Sequence, residues 1–137
     1  MSKLLPWLQK KATRIVDLES IGELSIPERP GVYILLSEKT QYIYPRGDSR
    51  VFYIGCGRKL RQRIWEHRKY YLQARDDPQF PYYWPRYEYA AAHVCKVCWI
   101  ACRNEQLARD LESKLLISFA NYYGAKPVTN GQGAWPK

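Results

Sequence analysis

Long apolar runs are missing from this chain. Its longest uninterrupted stretches, 32–36 and 97–102, fall far short of the ~20 residues that cross a bilayer as a helix, so no transmembrane helix is expected. The N-terminal apolar segment at Leu4, Leu5, Trp7 and Leu8 is too short for a secretory h-region, and no small-residue cleavage site follows it. The chain therefore reads as cytoplasmic. Internal repeats and low-complexity tracts are absent, which excludes solenoids, collagens and mucin-like stalks. Negative charge is scarce: 13 Asp and Glu stand against 22 Lys and Arg, a net +9.

The 137 residues suit one domain, or one domain with a short extension. With 46% hydrophobic and 26% charged residues, the chain has enough apolar surface for a real core. The positive charge is unevenly placed. Residues 58–75 carry seven basic side chains and one acidic one, and a basic excess packed into so short a segment points to a polyanion, since Lys and Arg on phosphates release condensed counterions. Nucleic acid is the expected partner. A membrane surface is not, because the segment lacks a broad apolar face.

His93, Cys95, Cys98 and Cys102 lie close enough in sequence to suggest zinc. The stretch 92–101 reads as a strand, however, and period 2 sends Cys95 and Cys98 to opposite faces. Buried reduced thiols are the expectation, with Cys56 standing apart.

Residues 1–29 form an irregular N-terminal extension, closed by Pro27 and Pro30. A buried strand is predicted at 32–36 and a second at 51–55, both rich in β-branched and aromatic residues. Between them, 37–50 reads as a long connection with some paired edges. If the two strands pair, Tyr33 shares a face with Leu35, Tyr53 shares one with Val51, and the two tyrosines face the same side. Gly55 and Gly57 permit a tight turn into a helix over 58–74, on whose core edge Arg63 and His67 project beside the seam of Leu60 and Ile64. Residues 76–89, with three prolines and six aromatics, form an irregular loop in which Tyr82, Tyr83 and Trp84 pack on the core or stack on bases. Asn104 is a candidate N-cap for a helix bearing the stripe Leu107, Leu111, Leu115 and Phe119, ended by Gly124 and Pro127. Glu112 lies beside that stripe, and a carboxylate at a core edge requires a partner.

Taken in order, Gly31-Val32-Tyr33, Tyr53-Ile54-Gly55, Arg63, His67, Leu111-Glu112 and Thr129-Asn130-Gly131 resemble the GIY-YIG nuclease family over residues 31 to about 131, with GVY as a variant of the first triplet. The resemblance implies an α+β fold (α/β sandwich-like), with a three-stranded antiparallel sheet flanked by helices in the order β-β-α-β-α. The corresponding division is an N-terminal extension at 1–29 and a nuclease domain at 30–137.

It further implies a metal-dependent endonuclease hydrolysing phosphodiester bonds in DNA, with RNA left open. Tyr33, Tyr53, Arg63, His67, Glu112 and Asn130 would be catalytic, and Arg58, Lys59, Arg61, Arg68 and Lys69 would bind the backbone. Glu112 would hold one Mg²⁺ or Mn²⁺ with substrate oxygens and water, a donor set suited to a hard cation. Arg63 would stabilise the charge developing on the phosphate. Tyr33, helped by Tyr53, is the family's base, although a free phenol titrates near ~10; His67, with a reference value of ~6.5, is the alternative. The connection at 37–50 is longer than usual for the family and reads as an insertion. Specificity is expected from that insertion, the aromatic loop, the N-terminal extension, a homodimer or an external partner. The competing reading is a non-catalytic nucleic-acid-binding module on the same fold.

Overall fold

Pro27 and Pro30 keep the chain extended up to Gly31, where a run of β-branched and aromatic side chains begins. That run is the central strand. The computed structural model describes residues 15–38, 41–77 and 95–130. Within these, the elements in order are β1 (Val16–Asp17), a 3-10 turn (Glu23–Ser25), β2 (Gly31–Ser37), β3 (Tyr42–Tyr44), β4 (Gly47–Ser49), β5 (Val51–Gly57), α1 (Leu60–Asp76), β6 (Cys95–Ala101) and α2 (Glu105–Tyr123). His93, the aromatic positions Tyr82, Tyr83 and Trp84, and Gly131 lie outside the described residues.

The sheet is antiparallel, in the order β1-β6-β2-β5. Every residue of β2 is buried, because helices cover both of its faces. Val32, Ile34 and Leu36 meet Ile54, Cys98 and the Leu115, Phe119 and Tyr123 side of α2. Tyr33 and Leu35 meet Phe52, Val97 and Trp99 together with Leu60, Ile64 and Tyr71 of α1. The alternation along β2 thus divides the core into two clusters, one per helix. Cys95 and Cys98 fall into different clusters, as period 2 requires, and all four cysteines are reduced.

The α+β class and the sequence of main elements agree with expectation, but the sheet has four strands rather than three. The fourth is β1, whose Val16 and Asp17 pair with Val97 and Lys96. It comes from the N-terminal extension, whose Leu18 and Ile26 are fully buried in the α1-side cluster. A two-residue strand carries no period for a sequence reading to detect. The connection at 37–50 is a hairpin, β3 with β4, fastened to the C-terminal end of α2. There Arg46 donates from its amide to Tyr123 O at 2.9 Å and from Nη2 to Asn121 O at 2.6 Å, satisfying carbonyls that the helix itself leaves unpaired.

Two expected faces change. The register of β2 with β5 slips between Leu35 and Leu36, so Tyr53 lies opposite Leu35 while Val51 lies opposite Leu36. The irregularity leaves Tyr53 and Phe52 on the α1 side and moves Val51 to the α2 side, where strict alternation had joined Val51 with Tyr53. On α2, Asn104 caps as expected, its Oδ1 accepting from Leu107 N at 2.8 Å. Leu107, however, is 45% exposed, and the buried seam starts at Ala108.

Leu18 ties the extension to the core by apolar burial. Leu18→Ala is expected to lower stability by about 2–5 kcal/mol, measured by urea denaturation, and an unchanged midpoint would show the extension to be dispensable.

Candidate active site

The buried residues of α1 are Leu60, Ile64, His67, Tyr71 and Ala74, spaced alternately four and three apart. His67 therefore occupies a seam position and is only 1% exposed, not projecting from the edge as its proximity to Arg63 suggested. A buried imidazole requires a polar partner. Tyr33, fully buried on β2, supplies it: its hydroxyl and His67 Nε2 share a hydrogen bond of 2.8 Å.

Tyr33 lies opposite Gly55 in the β2–β5 register. A Cβ at position 55 would stand 2.6 Å from the Tyr33 hydroxyl oxygen and 2.8 Å from Tyr53 Cε2, so any side chain there would displace the phenol. Gly57 serves Arg63 in the same way, since a Cβ there would meet Arg63 Cγ at 2.5 Å. The glycines at 55 and 57 thus clear one face of β5 for the two side chains that crowd onto it.

Arg63 donates from Nη2 to the Tyr33 hydroxyl at 3.4 Å and from Nη1 to Glu66 Oε2 at 3.2 Å. A guanidinium can only donate, so the Tyr33 oxygen accepts from Arg63 and its own proton can point to His67. The charge of the Tyr33 oxygen, more than that of Glu66, raises the Arg63 pKa against the opposing effect of desolvation and keeps it cationic. The Tyr53 ring, half-buried, completes the cluster, its centroid 6.0 Å from Tyr33 and 5.6 Å from His67. Tyr33 and His67 are enclosed; Arg63, with 39% of its side chain exposed, and Tyr53 are the members that reach the surface.

The remaining two expected residues meet β5 elsewhere. β5 is an edge strand, and its outward backbone groups recur every second residue. Thr129 donates from its amide and its hydroxyl to Phe52 O, at 3.0 and 2.6 Å. Asn130 accepts from Ile54 N at 3.0 Å and donates to Ile54 O at 2.7 Å. The Glu112 carboxylate accepts from the Cys56 amide and thiol. Asn130 is therefore a clasp on the strand edge, where it had been grouped with the catalytic side chains. Glu112 comes to Cys56 from the α2 side, while Tyr33 and Arg63 crowd Gly55 and Gly57 from the α1 side. All of them meet along the five residues Tyr53–Gly57.

Desolvation raises the Glu112 pKa above the ordinary carboxylate range, with the hydrogen bonds from Cys56 and the charge of Arg109 acting in the other direction. Burial, and then the Glu112 charge, push the Cys56 thiol up to about 11. A divalent ion on Glu112 would offset the desolvation, and an oxygen ligand suits a hard cation. Among the described residues no group of three or more His, Cys, Asp or Glu could hold a metal, so the other ligands would be water and substrate oxygens.

Of the basic residues expected on nucleic acid, two are engaged within the chain. Arg61 donates to Ile26 O at 2.7 Å and pairs with Glu28 at 2.9 Å. Arg68 donates to Glu19 O at 3.0 Å and lies over the Trp65 ring. Seven residues further on, Arg75 pairs with Glu19. This stripe holds the N-terminal segment on α1, leaving Arg58, Lys59 and Lys69 exposed. Cys56, Glu66 and Thr129 escaped the sequence reading; the parity of Cys56 with Ile54 was a usable signal, and the others had none.

Because the native Glu112 carboxyl holds its proton more tightly than the unfolded chain does, its favourable effect on stability is complete below the ordinary value of 4.5 and is lost as pH rises through the native value. Metal-free Glu112→Gln, which keeps an acceptor for Cys56 but carries no charge, should match or exceed the wild-type urea midpoint at pH 7. The two midpoints should converge below pH 4.5. A clearly lower midpoint at pH 7 would show that the ionised carboxylate stabilises the fold.

No family model and no curated protein matches the chain. Among solved structures, the chain is similar to the GIY-YIG N-terminal endonuclease domain of UvrC from Thermotoga maritima bound to its catalytic divalent cation, magnesium. The identity is 25% and the TM-score 0.44, over 76% of this chain and 88% of that one. This structure and the sequence motifs name the same family.

Proposed function

We propose that the protein is a metal-dependent endonuclease that hydrolyses phosphodiester bonds in DNA through a GIY-YIG-type site. The observation that carries this reading is the buried Tyr33–His67 hydrogen bond with Arg63 on the same phenol oxygen, built over a glycine-cleared strand segment that also receives Glu112. An isolated aromatic core needs neither an arginine on its phenol nor a carboxylate at the adjacent strand position.

In this reading the scissile phosphate docks on the exposed side of Arg63, which has five N–H donors and uses one on Tyr33 and one on Glu66. Fixed positive charge at that point stabilises the phosphorane-like transition state without reorganisation. The Tyr33–His67 pair accepts the proton of the attacking water, approached from the side of Arg63 and Tyr53. His67 can take the phenol proton while Arg63 stabilises the oxygen left negative. Glu112 would hold Mg²⁺ or Mn²⁺, which when bound supplies Lewis-acid polarisation of a phosphoryl oxygen. Asn130 and Thr129 fix the edge strand on which these groups meet. Arg58, Lys59 and Lys69 supply salt-sensitive contacts to the backbone.

Supercoiled plasmid, incubated with Mg²⁺ or with chelator, tests this directly. Wild type should nick or linearise it only with Mg²⁺. Glu112→Gln should lose cleavage yet still bind in a gel shift, and Arg63→Ala should fall by about 10²–10³-fold. Cleavage surviving Glu112→Gln overturns the metal site. Salt-sensitive binding by every form, with no cutting of DNA or RNA, would make the chain a binding module.

A further inference from the structure

The outer edge of β5 is closed at every second residue by a side chain from elsewhere in the fold: Thr129 at Phe52, Asn130 at Ile54 and Glu112 at Cys56. The first two are purely structural contacts. The third differs, because Cys56 contributes two donors: its amide, which by strand parity points outward like that of Ile54, and its thiol. The Cys56 side chain shares the α2 face of the sheet with Ile54, and Glu112 approaches from that face. Gly55 and Gly57, on either side, have no side chain with which to do the same.

We propose that Cys56 is the positioning residue of Glu112, its thiol and amide together fixing the carboxylate in the orientation that binds the divalent ion. This rests on the reading of Glu112 as the metal ligand. An ionised carboxylate offers about four acceptor sites, so the two donors of Cys56 leave sites for a cation and hold the rotamer that presents them. Any residue at position 56 supplies the amide; only a side chain with a donor supplies the second bond. Groups that orient a metal ligand from behind typically change metal affinity by about 10–100-fold when removed.

Cys56 also packs beside Val32, Ile100 and Leu111, so the test must separate orientation from packing. Mn²⁺ binding to the full chain is measured by the loss of the free-ion electron paramagnetic resonance signal, alongside Mg²⁺ titrations of plasmid cleavage. Wild type is compared with Cys56→Ala, Cys56→Val, Cys56→Ser and Glu112→Gln. Cys56→Ala and Cys56→Val, one smaller and one similar in size but both without a donor, should weaken Mn²⁺ binding about 10–100-fold. They should also shift the Mg²⁺ requirement upward, with kcat largely recovered at saturating Mg²⁺. Cys56→Ser, which retains a donor, should return both quantities toward wild type.

Unchanged Mn²⁺ affinity in the donor-less variants, with affinity lost in Glu112→Gln, overturns the role of Cys56 and leaves the metal site standing. The same holds if Cys56→Ser is as impaired as Cys56→Ala, since packing would then be the cause. Equal Mn²⁺ binding by wild type and Glu112→Gln, or none by wild type, removes the metal site and the inference with it.

Discussion

The approach of the Tyr33 phenol to the backbone of Gly55 is the contact on which the rest of the site depends. Tyr33 sits on a strand covered by helices on both faces, so its ring has no room unless the neighbouring strand carries no side chain opposite it. With Gly55 in place, the hydroxyl reaches the next layer and meets His67 and Arg63 of α1. The seam of α1 in turn places His67 toward the sheet, and Gly57 lets the Arg63 stem lie against β5. A polar triad can be buried here because each member provides what another requires: a cation, an acceptor and a proton between them.

The same strand is worked from its other side and from its edge. An exposed edge strand carries unpaired amides and carbonyls, and this chain satisfies those of β5 with side chains where another strand might have paired. Thr129 and Asn130 arrive from the segment after α2, and Glu112 from α2 itself. Desolvation makes Glu112 the costly member of the set. A carboxylate kept there against its solvation preference gains most from a cation, which ties a feature unfavourable to stability to the proposed chemistry.

Positive charge is divided in a similar way between fold and function. Arg61, Arg68 and Arg75 recur seven residues apart on α1 and hold the segment containing Glu19, Ile26 and Glu28. Leu18 and Ile26 bury that segment in the same core as Tyr33. The part of the helix that looked most like a phosphate-binding surface is thus partly an internal fastening. Arg63 differs from the stripe in having its partners within the site.

The sequence by itself determined the elements whose signals are local. The β-branched runs at Gly31–Ser37 and Val51–Gly57, the four-and-three spacing on Leu60–Asp76, and the cap at Asn104 all follow from period and from backbone groups a few residues away. It also placed Tyr33 and Tyr53 on one face and aligned Arg63 and Glu112 with a known family's motif. Tertiary structure alone decided the four-stranded sheet, the register slip that moved Val51, the burial of His67, the clasp formed by Asn130 and the partners of Arg61 and Arg68. The physical reason is distance along the chain. Periodicity reports which way a residue faces, whereas the partner of a donor, the closure of an edge and the cost of desolvating a carboxylate depend on segments tens of residues away.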